Sequence, residues 1–408
     1  MQIYMVGGAV RDMVLGLEPH DKDYVVVGAD AAEMTALGFE QVGKNFPVFL
    51  HPESKEEYAL ARKEIKTGDK HTDFKFVFDK SVTLQEDLAR RDFTCNALVY
   101  DIQSRQIKDF VGGLKDIERK TLRHVNDAHF AEDPLRVLRM CRFAAKLDFD
   151  IAPETMALAR QMVRDKMLHH LSAERIWQEF MRAMETRRFA QFVEAMRACG
   201  AMADLLPEVE KLWQTPERTD YHPEGNAGAH TLLALQHGAQ AAPIVQFALL
   251  LHDIGKILTP AELLPRHIGH DVAGIGLIRQ ICRRLKVPNK YREVAETAAK
   301  NHMKFFCVPQ MRMATLRDFT AALTGNFRSD ENLRYLFEVC RCDTLGRAGN
   351  ISDEALQQYE AAVKRCLAVF NRLTGVKATQ MPNFAELPKD GAFAARWREY
   401  QISLLGDL

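Results

Sequence analysis

The chain lacks a charge imbalance, a long apolar run and any CxxC motif. Its 55 lysines and arginines offset 55 aspartates and glutamates over 408 residues. That excludes a protein that coats nucleic acid through bulk charge, and leaves a local basic surface open. No apolar stretch approaches the roughly 18 residues a membrane span needs, so no membrane partner is expected. Met1-Gln2-Ile3-Tyr4 runs straight into a strand-like segment. It lacks the basic stretch and apolar core of a secretory signal. The 8 cysteines show no CxxC spacing, and Cys340 and Cys342 lie too close together for a zinc finger. Free thiols in a cytoplasmic protein are the expectation. Internal repeats and low-complexity tracts are also missing.

What is present is an ordinary globular composition, 47% apolar, in a chain long enough for two to four domains. Ile3–Val6 and Tyr24–Val27 read as short strands, as do Val48–His51 and Glu57–Arg62. Glu64 to Lys80 shows no clear period and reads as a mobile loop. From about Leu84 the helical period takes over, with Asp133 to Leu147 strongly helical and Pro134 in its first turn. Thr215 to Gly228, rich in Pro, Gly, Asp and Asn, reads as a linker between helical regions. The class is α+β: a small N-terminal α/β head followed by an all-helical neck, body and tail.

Three clusters in the first half carry chemistry. Gly7-Gly8 opens a helix, and a strand with Asp21 and Asp23 follows. Two carboxylates at i and i+2 of a strand share a face, and beside a glycine-rich turn they can hold Mg²⁺ against a triphosphate. Gly8 lets backbone N–H groups approach phosphate, and Arg11 lies one turn on. Glu57 is the candidate third carboxylate, with Glu56 as its rival. The second cluster is Arg91, Asp92 and Asn96 in Arg90-Arg91-Asp92-Phe93-Thr94-Cys95-Asn96, suited to phosphate and ribose hydroxyls. The third is Asp133 with Arg136 and Arg139. A carboxylate accepts and a guanidinium donates, so Asp133 and Arg136 side by side match the Watson–Crick edges of both cytosine and adenine. In isolation each cluster is also an ordinary turn, amphipathic helix or intrahelical salt bridge.

Taken together, GGAVRD, DKDYVVV, RRDFTCNA and EDPLRVLRMCRF resemble the class II tRNA nucleotidyltransferases, the CCA-adding enzymes, from Met1 to about Glu185. Ser172-Ala173-Glu174-Arg175-Ile176 resembles that family's neck element. The resemblance implies that Asp21 and Asp23 bind Mg²⁺, and that Gly8 and Arg11 contact the phosphates of the incoming nucleotide. It further implies that Arg91, Asp92 and Asn96 bind nucleotide, and that Asp133 and Arg136 read the base with support from Arg139. The implied activity is addition of C, C and A to the tRNA 3′ end from CTP and ATP, without a nucleic-acid template. Bacterial poly(A) polymerases share these motifs. After the DxD strand they usually carry a basic Gly-Arg-Arg-Phe-type segment. Here that place reads Gly43-Lys44-Asn45-Phe46-Pro47-Val48-Phe49, which favours CCA addition. A poly(A) polymerase with a degenerate tail and a non-catalytic RNA-binding relative are the alternatives.

Further on, His252-Asp253-Ile254-Gly255-Lys256 sits among His230, His267, His270, His302 and Asp343. Histidines and carboxylates on separate helices can converge on one or two divalent metals. The region resembles the HD superfamily of metal-dependent phosphohydrolases, with His252 and Asp253 as its signature pair. His230 and Asp343 would flank that pair, with Asp330 as a rival to Asp343, and His270 and His302 would be the superfamily's extra histidines. Head and tail together resemble the long, multifunctional bacterial CCA-adding enzymes. That implies 2′,3′-cyclic phosphodiesterase, 2′-nucleotidase and phosphatase activity in the tail, with Ni²⁺ favouring the phosphatase. The expected division is a nucleotidyltransferase head over 1–118, a neck and body over 119–222, an HD domain over 223–347 and a C-terminal helical segment over 348–408. A monomer that can form homodimers is expected. Two basic stretches, Arg119 to Lys146 and Arg279 to Arg292, are candidate RNA surfaces or solvated helix faces.

Overall fold

The computed structural model describes residues 1–19, 21–42, 48–66, 74–78, 80–349, 351–386, 392–406 and 408. The chain divides into two compact units. One comprises Met1–Ser172 and Ala198–Asp204, the other Ala173–Arg197 and Leu205–Leu408. The α+β class expected from the sequence is the one observed, with the strands concentrated in the N-terminal head.

The head is built on a seven-stranded sheet. Its strands are β1 (Gln2–Val6), β2 (Asp23–Val27), β3 (Glu40–Val42), β4 (Val48–Leu50) and β5 (Glu57–Leu60), with two more described below. Strand alternation feeds two cores. Val25 joins Tyr4, Val6, Leu84, Leu88 and Val99 on one face. Val26 joins Met34, Phe49, Tyr58 and Leu60 on the other. Thr83 starts the Leu84–Ala89 helix with a capping box to Glu86, which satisfies two otherwise orphaned N–H groups and lays Leu84 and Leu88 onto the first core.

The structure departs from the sequence reading in three places here. Part of the expected loop at Glu64 to Lys80 is an antiparallel hairpin of β6 (Lys63–Lys66) and β7 (Phe74–Val77). The alternation in Phe74-Lys75-Phe76-Val77 was too short to stand out from the charged residues around it. The sheet also gains β8 (Val99–Asp101) and β9 (Gln106–Lys108), beyond the point where helix was expected to take over. Three-residue strands such as these are set by pairing, β8 with β1 and β9 with β8, not by local propensity. Finally, β2 begins at Asp23, so Asp21 lies just outside the strand and alternation does not govern it. Gly43 to Pro47, the segment that favoured CCA addition over poly(A) synthesis, lies outside the described residues.

The other unit is helical. Around the candidate HD centre stand the helices Ala227–His237, Pro243–Leu251, His270–Arg284, Asn289–Phe306 and Glu331–Leu345. The helix Asp353–Leu373 buries Ala362, Cys366, Val369 and Leu373, a stripe at alternating steps of four and three. These join Leu316, Leu333, Leu336 and Phe337 in one core, so this stretch packs against the HD helices. Arg365 fastens it further by donating to the carbonyls of Val308, Pro309 and Met311. No described helix is long and apolar enough to cross a membrane.

Candidate active sites

In the head, the chain turns at Gly7, whose φ of 75° is the left-handed region that glycine enters freely, and the helix Gly8–Val14 starts at once. A Cβ at Gly7 would sit 3.4 Å from a guanidinium nitrogen of Arg91, an ordinary contact that places this cation beside the turn. The parallel pairing of β2 with β5 opposes Asp23 to Glu57. Tyr58 and Leu60 face the second core, so Glu57 lies on the opposite face, the one that Asp23 shares with Val25. Of the two glutamates, Glu57 is therefore the one set against Asp23, while Glu56 precedes the strand and accepts from Ser54.

Asp23 has its carboxyl raised above the ordinary value. Partial burial is the main cause, Glu57 and Asp21 add to it, and Arg91 opposes. Like charges gathered at a strand end are a donor set that a divalent cation would relieve. They do not converge as tightly as the cluster in the other unit. Among the described residues, Asp21, Asp23 and Glu57 form no set of three ligand atoms within 4.8 Å of one another.

Behind the turn runs a buried polar chain. Arg11 is only 2% exposed. It donates to Asp12 and, at 2.6 Å, to Asn96 Oδ1. Asn96 donates to Asp92 Oδ1 at 3.2 Å, and Asp92 Oδ2 accepts from Arg139 at 3.0 Å. Burial works against the charge of Asp92, but Arg139, Asn96 and Arg136 overcome it and hold the carboxyl below its ordinary value. Three guanidinium groups, of Arg11, Arg139 and Arg142, lie 5.6, 5.3 and 4.3 Å from the centre of the Phe143 ring. The elements expected to hold phosphate and to read the base are thus joined side chain to side chain.

The Leu135–Leu147 helix starts two residues after Asp133, which is extended (φ −119°) and accepts the Leu135 N–H at 3.1 Å. Asp133 and Arg136 are therefore not a pair within one helix, as the sequence suggested, but a capping residue and a first-turn residue. The reason is Pro134, which disfavours a helical conformation at the residue before it. Arg136 donates to the carbonyls of His129 and, at 2.7 Å, of Arg90.

The second site is more tightly assembled. His230, His252, Asp253, His270, His302 and Asp343 are all buried and all converge. Asp253 stands at the centre. Its Oδ2 lies 3.2 Å from His252 Nε2 and 3.9 Å from His230 Nε2. Its Oδ1 lies 3.3 Å from His270 Nε2 and 3.5 Å from His302 Nε2. His230 Nε2 is 2.9 Å from Asp343 Oδ1. Asp330, the rival of Asp343, instead pairs with Arg334 at 2.6 Å.

The ring orientations fix the chemistry. Nδ1 of His252, His270 and His302 lies 2.7, 2.6 and 2.9 Å from the carbonyls of Leu249, His267 and Ala299. A carbonyl only accepts, so Nδ1 carries the proton and Nε2 turns its lone pair to the centre. His252 Nε2 and Asp253 Oδ1 are buried without a hydrogen-bond partner. Adjacent ligands about 2.1 Å from one cation stand roughly 3.0–3.4 Å apart, close to the separations found here. His230 is buried, which disfavours its charge, yet Asp343 and Glu224 raise it to about 9. Carboxylate oxygens and imidazole nitrogens gathered about one point are a donor set that would suit a divalent metal.

Comparison with known proteins gives three family matches along the chain. Residues 3–123 match the Poly A polymerase head domain, 148–212 the "Probable RNA and SrmB- binding site of polymerase A", and 219–324 the HD domain. A Multifunctional CCA protein of Xanthomonas campestris pv. campestris (strain B100) is 44% identical over 408 residues, covering 97% of this chain and 98% of the relative. One from Neisseria meningitidis serogroup B is 48% identical over 349 residues, covering 85% of this chain and 83% of the relative. The chain belongs to the multifunctional CCA protein family. Among solved structures, the Bacillus stearothermophilus CCA-adding enzyme in complex with CTP superposes with a TM-score of 0.65 at 23% identity, covering 98% of this chain and 89% of that one. The Thermotoga maritima CCA-adding enzyme complexed with tRNA gives 0.63 at 18%, covering 100% and 88%. At such identities the likeness is one of fold.

In this member of the multifunctional CCA protein family, sequence reasoning missed residues around the HD centre. The stretch read as a linker is folded back on itself by a bridge between Pro216 and Asn226, and it brings Glu217, His222 and Glu224 to the centre. Lys256, only 7% exposed, lies 2.8 Å from Asp253 and 2.6 Å from Glu217. The basic stretch Arg279 to Arg292 proves largely paired: Arg279 and Arg292 with Glu296, Arg284 with Glu208, Lys286 with Glu174 and Lys290 with Glu331. The solvated-face reading fits it.

The glycine of His252-Asp253-Ile254-Gly255-Lys256 has a steric reason. A Cβ at Gly255 would meet the His270 carbonyl oxygen at 2.0 Å and the Gly274 nitrogen at 2.6 Å. Both are backbone atoms, so Gly255→Ala must separate the signature turn from the helix that carries His270. We expect it to destabilise the protein by about 3 kcal/mol, the upper end for overpacking. Thermal unfolding with and without divalent metal would register this; an unchanged midpoint would refute the close packing.

Proposed function

We propose that the head adds and repairs the CCA end of tRNA, taking CTP and ATP as substrates without a template, and that the HD centre hydrolyses phosphoesters at RNA ends. The observation that carries the first half is the register of Asp23 against Glu57, beside the Gly7-Gly8 turn with Arg91 close to it. The names of the relatives support the same reading. So do solved structures of CCA-adding enzymes with CTP, ATP and tRNA.

In this reading Asp21, Asp23 and Glu57 hold Mg²⁺, which when bound supplies Lewis-acid activation of the tRNA 3′-hydroxyl and neutralises charge on the leaving pyrophosphate. Gly8 keeps the helix start open to the triphosphate, and Arg91 draws it in. Arg11 and Asn96 act from beneath the turn, bracing Asp92 and Arg139. Asp133 presents an acceptor and Arg136 donors to the base. The chain acts in the cytoplasm, where tRNA is matured, and boundaries at 118, 222 and 347 separate head, neck and body, HD domain and C-terminal segment.

The two oxygens of Asp253 face two histidine sets, His230 and His252 with Asp343 on one side, His270 and His302 on the other. His230, His252, Asp253, His270, His302 and Asp343 would hold one or two divalent metals, which when bound would supply an activated water; we propose Ni²⁺ among the ions used. Phosphatase, 2′-nucleotidase and 2′,3′-cyclic phosphodiesterase reactions all need what such a centre offers, an activated water and a clamp on phosphate oxygens. Cleaning a damaged 3′ end would then precede its extension.

The test is incubation with Mg²⁺ and a tRNA lacking its 3′ end, read at single-nucleotide length. Growth that stops after three additions with both nucleotides, and after two with CTP alone, is expected. A long ladder from ATP alone would replace this reading with poly(A) synthesis, and tRNA binding without extension would replace it with a binding role.

A further inference from the structure

We propose that the loop 215–226 is the outer shell of the HD centre, with Glu224 and Glu217 as positioning residues that prepare His230 and Asp253 to receive a divalent cation; this rests on the reading of that centre as a metal site. The loop is closed at its base, where the Ala227 N–H donates to the Thr215 carbonyl at 3.0 Å and the Glu217 N–H to the Gly225 carbonyl at 3.0 Å. Both carboxylates are therefore delivered by one fixed element.

Glu224 Oε1 lies 2.9 Å from His230 Nδ1 and 2.9 Å from His222 Nδ1, and its Oε2 accepts the Ala348 N–H at 3.1 Å. Three donors thus hold one carboxylate against a ring that is 0% exposed. His230 differs from the other three histidines of the centre, whose Nδ1 groups meet backbone carbonyls. A carboxylate behind the ring raises the basicity of the opposite nitrogen and fixes its tautomer, so Nε2 is a stronger ligand. Ala348 lies just beyond the Glu331–Leu345 helix that carries Asp343, so Glu224 also ties the two flanking ligands together.

Glu217 acts on the other side. Lys256 places its ammonium on Asp253, where alone it would compete with a metal for that carboxylate. Glu217 Oε1, 2.6 Å from Lys256 Nζ, shares that charge and leaves Asp253 the better ligand.

The experiment uses the full chain stripped of metal and titrated calorimetrically with Ni²⁺ and with Mn²⁺. Glu224→Gln keeps shape and an acceptor but loses the charge, and its dissociation constant is expected to rise about 10- to 100-fold, the usual effect of outer-shell loss. Glu224→Asp should recover part of the affinity. Glu208→Gln removes a partly exposed carboxylate elsewhere in the unit and should bind as wild type does. Glu224→Gln binding within about twofold of wild type would overturn the proposal. Wild-type protein that binds neither cation would instead overturn the reading of the centre itself. Should Glu224→Gln fail to fold, Glu217→Gln, which leaves His230 and its partners in place, carries the same expectation and the same refutation.

Discussion

Asp253→Asn in the full chain should abolish hydrolysis at the HD centre and leave nucleotide addition by the head intact. The expected loss is about a thousandfold in kcat/KM, several kcal/mol of transition-state stabilisation. Asp253 offers both oxygens to histidine rings, His252 and His230 on one side, His270 and His302 on the other. An amide keeps the shape but has one acceptor and no charge, so a metal on the His270 side would lose its anionic ligand and one on the His252 side would keep only Asp343. Lys256 then retains Glu217 as its counterion, which limits the structural damage. Hydrolysis of a 2′,3′-cyclic phosphate end with Ni²⁺ present, measured beside CCA addition by the same preparation, separates the two effects. His302→Ala refines the result. It removes a ligand from the His270 side, so a two-metal centre should keep one equivalent of bound metal and lose the second. Undiminished hydrolysis in Asp253→Asn would place the activity elsewhere.

The sequence disclosed these centres unevenly, for a physical reason. GGAVRD, RRDFTCNA and HDIGK are local strings, in which a turn, a helix start and the reactive groups lie within one or two turns of one another, so spacing alone was informative. What spacing could not reveal were contacts made by closure over distance. Glu57 was distinguished from Glu56 by the register of β5 against β2, fixed by which residues enter the core. Asp343 was distinguished from Asp330 by the helix Glu331–Leu345, which buries one and leaves the other at its start. Glu217, His222 and Glu224 lie in a stretch with the composition of a linker, rich in Pro and Gly; its order comes from the Pro216–Asn226 bridge and from partners on separate elements, Lys256, 39 residues on from Glu217, and His230, 6 residues on from Glu224. Pro134 marks the helix start in the sequence, and the same residue holds Asp133, just before it, out of that helix.

Asp23→Asn should cut CCA addition about a thousandfold as well, through loss of a carboxylate that holds the catalytic cation. It should do so without weakening the fold, and this pairing of effects is diagnostic. The carboxyl of Asp23 is raised above its ordinary value by burial and by Glu57 and Asp21, so the charged form is disfavoured in the folded, metal-free chain. By linkage, whatever stability Asp23 contributes is present at low pH and is lost as pH rises through the carboxylate range. At neutral pH the amide therefore removes a repulsion, and the metal-free unfolding midpoint should stay level or rise. A carboxylate kept where it opposes folding is one retained for what it binds. Glu57→Gln tests the same logic from the neighbouring strand: relief of repulsion in the metal-free protein, with nucleotide addition weakened because the third ligand is gone. If Asp23→Asn extends tRNA as wild type does, the cation is held elsewhere and the register of β2 against β5 is only architecture. If it loses addition together with several degrees of midpoint, the residue is structural and the cation reading loses its support.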